Sequence, residues 1–210
     1  MTMHLETLAP ATKQLLDQLE KTSWLKRFYL AGGTALALHY GHRQSVDLDW
    51  FTPGHIQVPR LLKNLSLVAP VEILNQETDT LEGIVAGVKV SFMTYPYPLL
   101  KQPTRYEGGA KVAEPLDIAL MKLGAIADRN TKKDFIDLYI FLEREQKTLS
   151  ELLDFLPQKF TGVNYDRYHL YKALTYFVDA DTEALPNMFL KLDWAKIKRF
   201  FIAEVKKLVS

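Results

Sequence analysis

Hydrophobic residues in the first part of the chain follow helical and strand spacing in turn. Leu15, Leu16 and Leu19 recur at helical spacing after Pro10, which predicts an amphipathic helix. The next apolar run is short, aromatic and closed by two glycines, as expected of a buried strand that turns sharply into a helix. The pattern predicts helices at residues 10–23, around 35–39 and at 56–65, and strands at 28–31 and 46–51.

Three further segments, at residues 71–74, 80–85 and 88–94, are rich in residues that favour strands. The last two are joined through Ala86-Gly87, a dipeptide that suits a tight turn, so they are expected to form a hairpin. Together with the earlier strands they predict a mixed sheet of about five strands.

The composition changes near Tyr95-Pro96-Tyr97-Pro98, where alternate prolines force an extended connection. Beyond it, apolar residues recur at three-and-four spacing over residues 114–128, 132–145, 149–155, 165–176 and 193–208. The chain is therefore predicted to hold an α/β domain at 1–100 and a helical C-terminal lobe at 101–210. We expect the lobe to pack against the first domain and complete a cleft.

The charges of the chain exclude a strong global attraction to nucleic acid or to an anionic membrane. The 26 basic residues nearly cancel the 25 acidic ones, so any contact with RNA has to be local. Without cysteine there are no disulfides, thiolate zinc sites or thiol nucleophiles. No signal peptide and no apolar stretch of about 20 residues is recognisable, so we expect a cytoplasmic protein.

The first candidate for chemistry is a pair of aspartates in the predicted strand at 46–51. Side chains alternate along a strand, so Asp47 and Asp49 share a face, with Cα atoms about 6.5 Å apart at about 3.3 Å per residue. Leu48 and Trp50 then point to the opposite, buried face. Two carboxylates placed in this way can converge on Mg²⁺ or Mn²⁺, which prefer hard oxygen ligands.

The second candidate is the turn Gly32-Gly33-Thr34 between the first strand and its helix. Glycines allow the backbone to approach an anion, and the N-terminus of the helix offers N–H groups that have no partner within the helix. Thr34 adds a hydroxyl that can donate to a phosphate or cap the helix. The turn and the aspartates are expected at the same edge of the sheet, which favours a nucleotide and metal site.

Two stretches of the chain carry a resemblance to a known family. Residues 30–38 (Leu-Ala-Gly-Gly-Thr-Ala-Leu-Ala-Leu) and 42–51 (His-Arg-Gln-Ser-Val-Asp-Leu-Asp-Trp-Phe) resemble the first motif of the AbiEii/AbiGii-type nucleotidyltransferase toxins, of the polymerase-beta-like superfamily. In the helical half, the family's lysine helix and its basic-Asp-Phe-x-Asp-Leu-Tyr element are matched by Asp117, Lys122, Ala125, Arg129, Lys133-Asp134-Phe135 and Asp137-Leu138-Tyr139. The resemblance covers roughly residues 25–145.

The resemblance implies transfer of a nucleoside monophosphate from a nucleoside triphosphate to an acceptor hydroxyl. Some members of the family modify transfer RNA and act as toxins beside a cognate antitoxin, so RNA and an antitoxin are the implied partners. By this carry-over Asp47 and Asp49 hold Mg²⁺ or Mn²⁺, and the backbone of Gly32 and Gly33, with Thr34, meets the phosphates. Lys122 would neutralise phosphate charge, and Asp134 would complete the site.

Several of these residues have a structural alternative. Lys122 lies among apolar residues of a helix and also fits a solvated position, while Asp134 and Asp137 could simply pair with Arg129, Lys132 or Lys133. Arg43 and Ser45 are further candidates for nucleotide binding, although Arg43 could equally pair with an acid and Ser45 could close the turn. The basic residues near the C-terminus are the local candidates for contact with RNA phosphates.

One departure from the superfamily's pattern concerns a third carboxylate, which these enzymes commonly place on a neighbouring strand. On the predicted strand 88–94 the corresponding outward position is Ser91, which is not an anionic ligand. Glu72, Glu82 or Asp134 could supply the missing charge. Two hypotheses follow: an active nucleotidyltransferase, or a non-catalytic descendant that binds nucleotide or a partner through the same cleft.

Overall fold

A computed structural model describes residues 3–106, 108–163 and 166–209. The chain divides into two compact units, Met1–Glu114 and Pro115–Ser210. The first unit contains the sheet, and the described part of the second is helical. The mixed α/β architecture with a helical C-terminal part agrees with the fold class predicted from the sequence.

The described residues of the first unit form short 3₁₀ helices at Leu5–Thr7 and Ser23–Arg27, three α-helices and seven strands. The helices are α1 (Pro10–Leu19), α2 (Gly32–Tyr40) and α3 (Val58–Ser66). The strands are β1 (Tyr29–Ala31), β2 (Leu48–Thr52), β3 (Val71–Glu77), β4 (Thr80–Val85), β5 (Val88–Thr94), β6 (Thr104–Arg105) and β7 (Lys111–Val112).

The strands form one sheet in the order β3-β4-β5-β2-β1-β7-β6. The sheet is mixed as predicted, because β2 is antiparallel to β1 and parallel to β5. It has seven strands rather than about five. The two additional strands, β6 and β7, follow residue 100 and contain two residues each, too few to show an alternating pattern in the sequence.

The turn between β4 and β5 confirms the hairpin predicted through Ala86-Gly87. Val85 pairs with Val88, so the loop has two residues, and both have positive φ angles, 50° for Ala86 and 78° for Gly87. Two consecutive positive φ angles are typical of the type I′ turn that matches the twist of a hairpin. This hairpin fixes the register between β4 and β5.

Helix α2 lies in the core of the first unit, since every residue from Thr34 to Tyr40 is buried. It follows β1 without a loop, so the sheet determines where the helix begins. It ends at Gly41, whose φ of 64° is left-handed and whose N–H donates to the carbonyl of Ala37 at 2.8 Å. This is the usual helix stop at glycine.

The described part of the second unit contains seven α-helices, as the sequence predicted for this half of the chain. They are α4 (Pro115–Arg129), α5 (Lys132–Arg144), α6 (Leu149–Leu153), α7 (Leu156–Lys159), α8 (Arg167–Thr175), α9 (Val178–Thr182) and α10 (Trp194–Val209). The helix predicted at 165–176 corresponds to α8, and Tyr165 at its predicted start lies outside the described residues.

An aromatic cluster forms the core of the second unit. Phe135 is fully buried, and its ring centroid lies 5.1 Å from Phe177, 5.4 Å from Phe201 and 5.9 Å from Trp194. A fully buried ion pair joins Lys159 Nζ to Asp117 at 2.7 Å. Burial lowers the pKa of Lys159, while the hydrogen bond and the charge of Asp117 oppose that shift.

Candidate active site

The backbone of Gly32 and the carboxylate of Asp49 are in direct contact. Ala31, the last residue of β1, pairs with Asp49 of β2, so the chain turns into α2 directly beside this aspartate. Gly32 has a φ of +66°, and a Cβ atom at this position would lie 2.4 Å from Asp49 Oδ2. A side chain at residue 32 would therefore strain the backbone and force the Asp49 carboxylate to move, and this carboxylate lies at the N-terminus of α2.

Asp47 and Asp49 flank the start of β2. The strand begins at Leu48, so Asp47 immediately precedes it, and both aspartates are half-buried. Leu48 and Trp50 are fully buried, as the alternation of the sequence predicted. The Asp47 carboxylate forms no hydrogen bond or ion pair with the rest of the described chain, which leaves it accessible to an external ligand.

Two buried hydroxyl groups fix the backbone at Asp47. Thr34 Oγ1 donates to the carbonyl of Asp47 at 2.5 Å, and Ser45 Oγ lies 2.7 Å from Thr34 Oγ1. Because the single hydroxyl proton of Thr34 is directed to Asp47, Ser45 donates to Thr34. Thr34 is 1% exposed and Ser45 6%, so these side chains connect α2 to the segment before β2.

The remaining nucleotide-binding candidates differ in accessibility. Gly32 and Gly33 are half-buried and open the first turn of α2. Arg43 is 5% exposed, and its Nη1 donates to the carbonyl of Gln44 at 3.1 Å. The contacts described above bring five of the candidate residues together around the start of β2, namely Gly32, Thr34, Ser45, Asp47 and Asp49. A contact between any of these residues and a nucleotide stays a prediction.

The register of the sheet places Ser91 directly beside Asp49. Ser91 of β5 pairs with Asp49 of β2 on one side and with Glu82 of β4 on the other. Paired residues share a face, so Glu82 lies in the same row as Asp49, about 10 Å away at about 4.8 Å per strand. Glu72 instead pairs with Ile84, in another row. The neighbouring strand thus offers a buried serine where an acid was expected.

The donor atoms at this site fit a hard divalent cation bound together with a substrate. Within residues 3–106, 108–163 and 166–209, no group of three or more His, Cys, Asp or Glu could hold a metal ion. Mg²⁺ commonly takes only one or two protein carboxylates and completes its shell with phosphate oxygens and water. Asp47 and Asp49 fit that number and that ligand type.

The histidines have other contacts. The Nε2 atom of His39 lies 2.9 Å from the carbonyl oxygen of Ala113 in the core. His55 Nδ1 lies 2.6 Å from Asp79, which also accepts from the N–H of Ile56. These contacts indicate a structural role for His39 in the core and a surface role for His55.

The second unit contains an ionic cluster built from the other family residues. Lys122 Nζ lies 2.7 Å from Asp134 Oδ1 and 2.6 Å from Asp137 Oδ2. Arg129 donates to both Asp134 oxygens, from Nε at 2.8 Å and from Nη2 at 3.0 Å. Thr131 Oγ1 donates to Asp134 Oδ2 at 2.6 Å. The sequence offered Arg129, Lys132 and Lys133 as partners for the aspartates, and the ion pair between Asp134 and Arg129 is present. Lys132 instead donates to the backbone carbonyl of Glu183.

Charge determines the protonation of Asp134. Burial by itself raises the pKa of this carboxyl, but the charges of Lys122 and Arg129 and their hydrogen bonds outweigh burial and lower the pKa to about 2. Asp134 is therefore ionised at neutral pH. Its function and that of Lys122 stay predictions.

The basic residues of α10 are mostly paired inside the second unit. Lys198 lies 2.9 Å from Asp181, Lys207 lies 2.5 Å from Glu204, and Arg199 lies 3.5 Å from Asp193. These pairs reduce the positive charge that the helix presents. They weaken the hypothesis that α10 binds RNA phosphates.

Comparison with solved structures gives the class of fold. A protein from H. pylori described as a candidate nucleotidyltransferase matches with a TM-score of 0.53 and 20% identity, over 94% of this chain and 92% of that one. MenT4, a nucleotidyltransferase toxin from Mycobacterium tuberculosis H37Rv, matches with a TM-score of 0.52 and 16% identity, over 93% and 82%. The chain therefore has a nucleotidyltransferase fold.

Sequence comparison gives the family. Residues 14–85 match the family model of the nucleotidyl transferase AbiEii toxin of type IV toxin–antitoxin systems. An uncharacterized protein of Aquifex aeolicus (strain VF5) is 34% identical over 198 residues, which cover 93% of this chain and 94% of that protein. Residues 14–85 of the chain therefore belong to the AbiEii nucleotidyltransferase toxin family, as the motifs in this segment suggested. No helix in the described part of the chain is long and apolar enough to cross a membrane.

The contact between Gly32 and Asp49 predicts the effect of a single methyl group. Gly32→Ala should displace the Asp49 carboxylate and lower nucleotidyl transfer by about a hundredfold, because a misplacement of about 1 Å at a reacting centre can have an effect of that size. Gly87→Ala is the matched control, because Gly87 also has a positive φ but a Cβ there meets nothing within 4 Å. Both variants should lose about 1–2 kcal/mol of stability. Equal transfer rates in the two variants would contradict this assignment.

The hydroxyl of Thr34 provides a second prediction. Thr34→Val keeps the shape of the side chain but leaves Ser45 and the Asp47 carbonyl without their shared partner, at a cost of about 1–3 kcal/mol. Thr34→Ser keeps the hydroxyl and should retain most of the stability. Urea unfolding of both variants measures the difference. If the Thr34→Val and Thr34→Ser variants are equally stable, the hydroxyl does not fix the segment before β2.

The lowered pKa of Asp134 predicts a dependence of stability on pH. The folded state holds this carboxylate ionised down to about pH 2, whereas the unfolded chain protonates it near 3.8. Its contribution, about 2 kcal/mol, is complete above the unfolded pKa and is lost as the pH falls through the folded pKa. Between pH 5 and pH 2, the free energy of unfolding measured with denaturant should therefore fall more steeply with decreasing pH in the wild type than in Asp134→Asn. Identical slopes would assign the acid sensitivity to other groups.

Proposed function

We propose that the protein transfers a nucleoside monophosphate from a nucleoside triphosphate to an acceptor hydroxyl. One observation carries the proposal: the Asp49 carboxylate lies against Gly32 at the N-terminus of α2, with Asp47 two residues before it. The arrangement puts the candidate metal ligands beside backbone N–H groups that favour phosphate. Membership of the AbiEii family supports the same reaction.

Asp47 and Asp49 would hold Mg²⁺ or Mn²⁺, which supplies charge neutralisation at the phosphates when it is bound. Gly32 and Gly33 would let the backbone approach the phosphate oxygens, and Thr34 and Ser45 would keep Asp47 in place. In the reaction, the acceptor oxygen forms a bond to the α-phosphorus, and the bond from that phosphorus to the bridging oxygen of the β-phosphate breaks. Pyrophosphate leaves with the electron pair of the broken bond, and the acceptor hydroxyl loses its proton to water.

The acceptor that we propose is RNA, with transfer RNA as the first candidate. The family description and the name of MenT4 both refer to nucleotidyltransferase toxins, which supports a role as the toxin of a toxin–antitoxin or phage-defence pair. A cognate antitoxin would then be the protein partner. Arg43 remains a proposed contributor to nucleotide binding, and Lys122 and Asp134 remain proposed contributors through the ionic cluster that they form with Arg129.

Ser91 favours a second candidate function. It stands directly beside Asp49, where the superfamily commonly has an acid that helps to hold the catalytic metal and can accept the proton of the acceptor hydroxyl. A descendant that binds nucleotide without transferring it would tolerate this serine. Turnover separates the two functions, because both predict binding of a nucleotide.

The first experiment incubates the purified protein with each labelled nucleoside triphosphate, Mg²⁺ or Mn²⁺, and total cellular RNA. Label is expected in RNA with the wild type and not with the Asp47→Asn/Asp49→Asn variant. That variant should fold normally, because half-exposed carboxylates contribute only about 1 kcal/mol or less to stability. Circular dichroism and thermal unfolding check the fold.

Each outcome has a distinct meaning. Label that appears only with the wild type establishes a transferase and identifies the nucleotide. Nucleotide binding without label supports the non-catalytic function, and an active double variant would falsify the assignment of the aspartates.

A further inference from the structure

The oxygens of Asp134 have their full set of hydrogen bonds within the second unit. Oδ1 accepts from Lys122 Nζ at 2.7 Å and from Arg129 Nη2 at 3.0 Å. Oδ2 accepts from Arg129 Nε at 2.8 Å and from Thr131 Oγ1 at 2.6 Å. A carboxylate offers about four acceptor positions, and all four are occupied here. In this arrangement Asp134 has no lone pair left for a metal ion or for the proton of an acceptor.

The ammonium group of Lys122 is enclosed in the same way. Its side chain is 5% exposed, and Nζ lies within 2.7 Å of one carboxylate and 2.6 Å of another, those of Asp134 and Asp137. One lysine charge between two carboxylates leaves one negative charge, which Arg129 balances. Lys122 thus neutralises buried charge, and a phosphate would have to displace a carboxylate to reach it.

Arg129 is the cluster member that can meet a ligand from solution. Its side chain is 56% exposed, whereas those of Lys122, Asp134 and Asp137 are buried. Asp134 fixes the plane of the guanidinium through two parallel hydrogen bonds. A guanidinium has five N–H donors in a rigid plane and can bind a second oxyanion while one carboxylate holds it. An arginine held in this way loses little entropy when it binds.

We propose that Arg129 binds a phosphate group of the substrate and that Asp134 is a positioning residue, which acts on the substrate only through Arg129. The proposal rests on the proposed function in one respect: the phosphate belongs either to the nucleoside triphosphate or to the backbone of the RNA acceptor. Both sources present the same chemistry, a phosphate oxyanion that a guanidinium binds through two parallel hydrogen bonds.

Calorimetry on the full-length protein tests the first part. The two ligands are inorganic triphosphate with Mg²⁺ and a short RNA oligonucleotide without terminal phosphates. Arg129→Ala should weaken binding of one ligand at least tenfold, and Arg129→Lys should recover part of it because the charge remains. Arg144→Ala is the control, since Arg144 is another exposed arginine, on α5. The ligand that loses affinity identifies the source of the phosphate.

Unchanged binding of both ligands by Arg129→Ala overturns the proposal, and so does a wild type that binds neither. If alanine prevents folding, Arg129→Gln keeps a hydrogen-bonding side chain without the charge and takes its place. The binding measurement needs no turnover. A protein that fails to label RNA but loses triphosphate affinity in Arg129→Ala therefore disproves the proposed function and leaves this inference intact.

A double-mutant cycle tests the positioning role of Asp134. Asp134→Asn should weaken binding of the same ligand that Arg129→Ala affects. Asparagine keeps one acceptor oxygen, so the guanidinium loses the second of its two hydrogen bonds. The double variant should bind no more weakly than Arg129→Ala alone. A further loss in the double variant would show that Asp134 acts on the ligand by itself, which overturns the positioning role.

Discussion

The approach of the Asp49 carboxylate to the backbone of Gly32 is the constraint on which the candidate site depends. It requires a residue without a side chain and with a positive φ at the end of β1, so that α2 can begin beside β2. Pairing of Ala31 with Asp49 then brings the N-terminus of α2 to the aspartates. The hydroxyls of Thr34 and Ser45 fix the preceding segment at Asp47.

The polar family residues fall into two groups with different physical states. Around β2, the carboxylates of Asp47 and Asp49 are half-buried, and they are the proposed ligands of a divalent cation. In the helical unit, Asp134 and Asp137 are buried and held by Lys122, and Arg129 carries the exposed charge. Two aspartate pairs that look alike in the sequence therefore have different chemistry. One pair lies half-buried beside the N-terminus of α2, and the other is neutralised by cations of its own unit.

Much of the fold could be predicted because its signals are local. The spacing of apolar residues gave the helical second half, and the Ala86-Gly87 turn gave a hairpin whose register follows from a two-residue loop. Strands β6 and β7 escaped prediction because two-residue strands carry no periodic pattern and exist only through their neighbours. Ser91 was identified from its strand, but its position between Asp49 and Glu82 required the order of the sheet.

The sequence by itself determined the family resemblance and the α/β class, and it singled out the two aspartates as candidate ligands, because these inferences depend on residue identity and spacing over a few positions. Only the tertiary structure decided which polar groups have all of their hydrogen-bonding positions occupied by other groups of the protein. Asp134 and Arg129 are five positions apart at the ends of two helices, and Lys122 reaches the same carboxylate from the middle of α4. Whether such groups bind each other or a ligand depends on burial and on hydrogen-bond geometry between elements, which the order of residues along the chain does not specify.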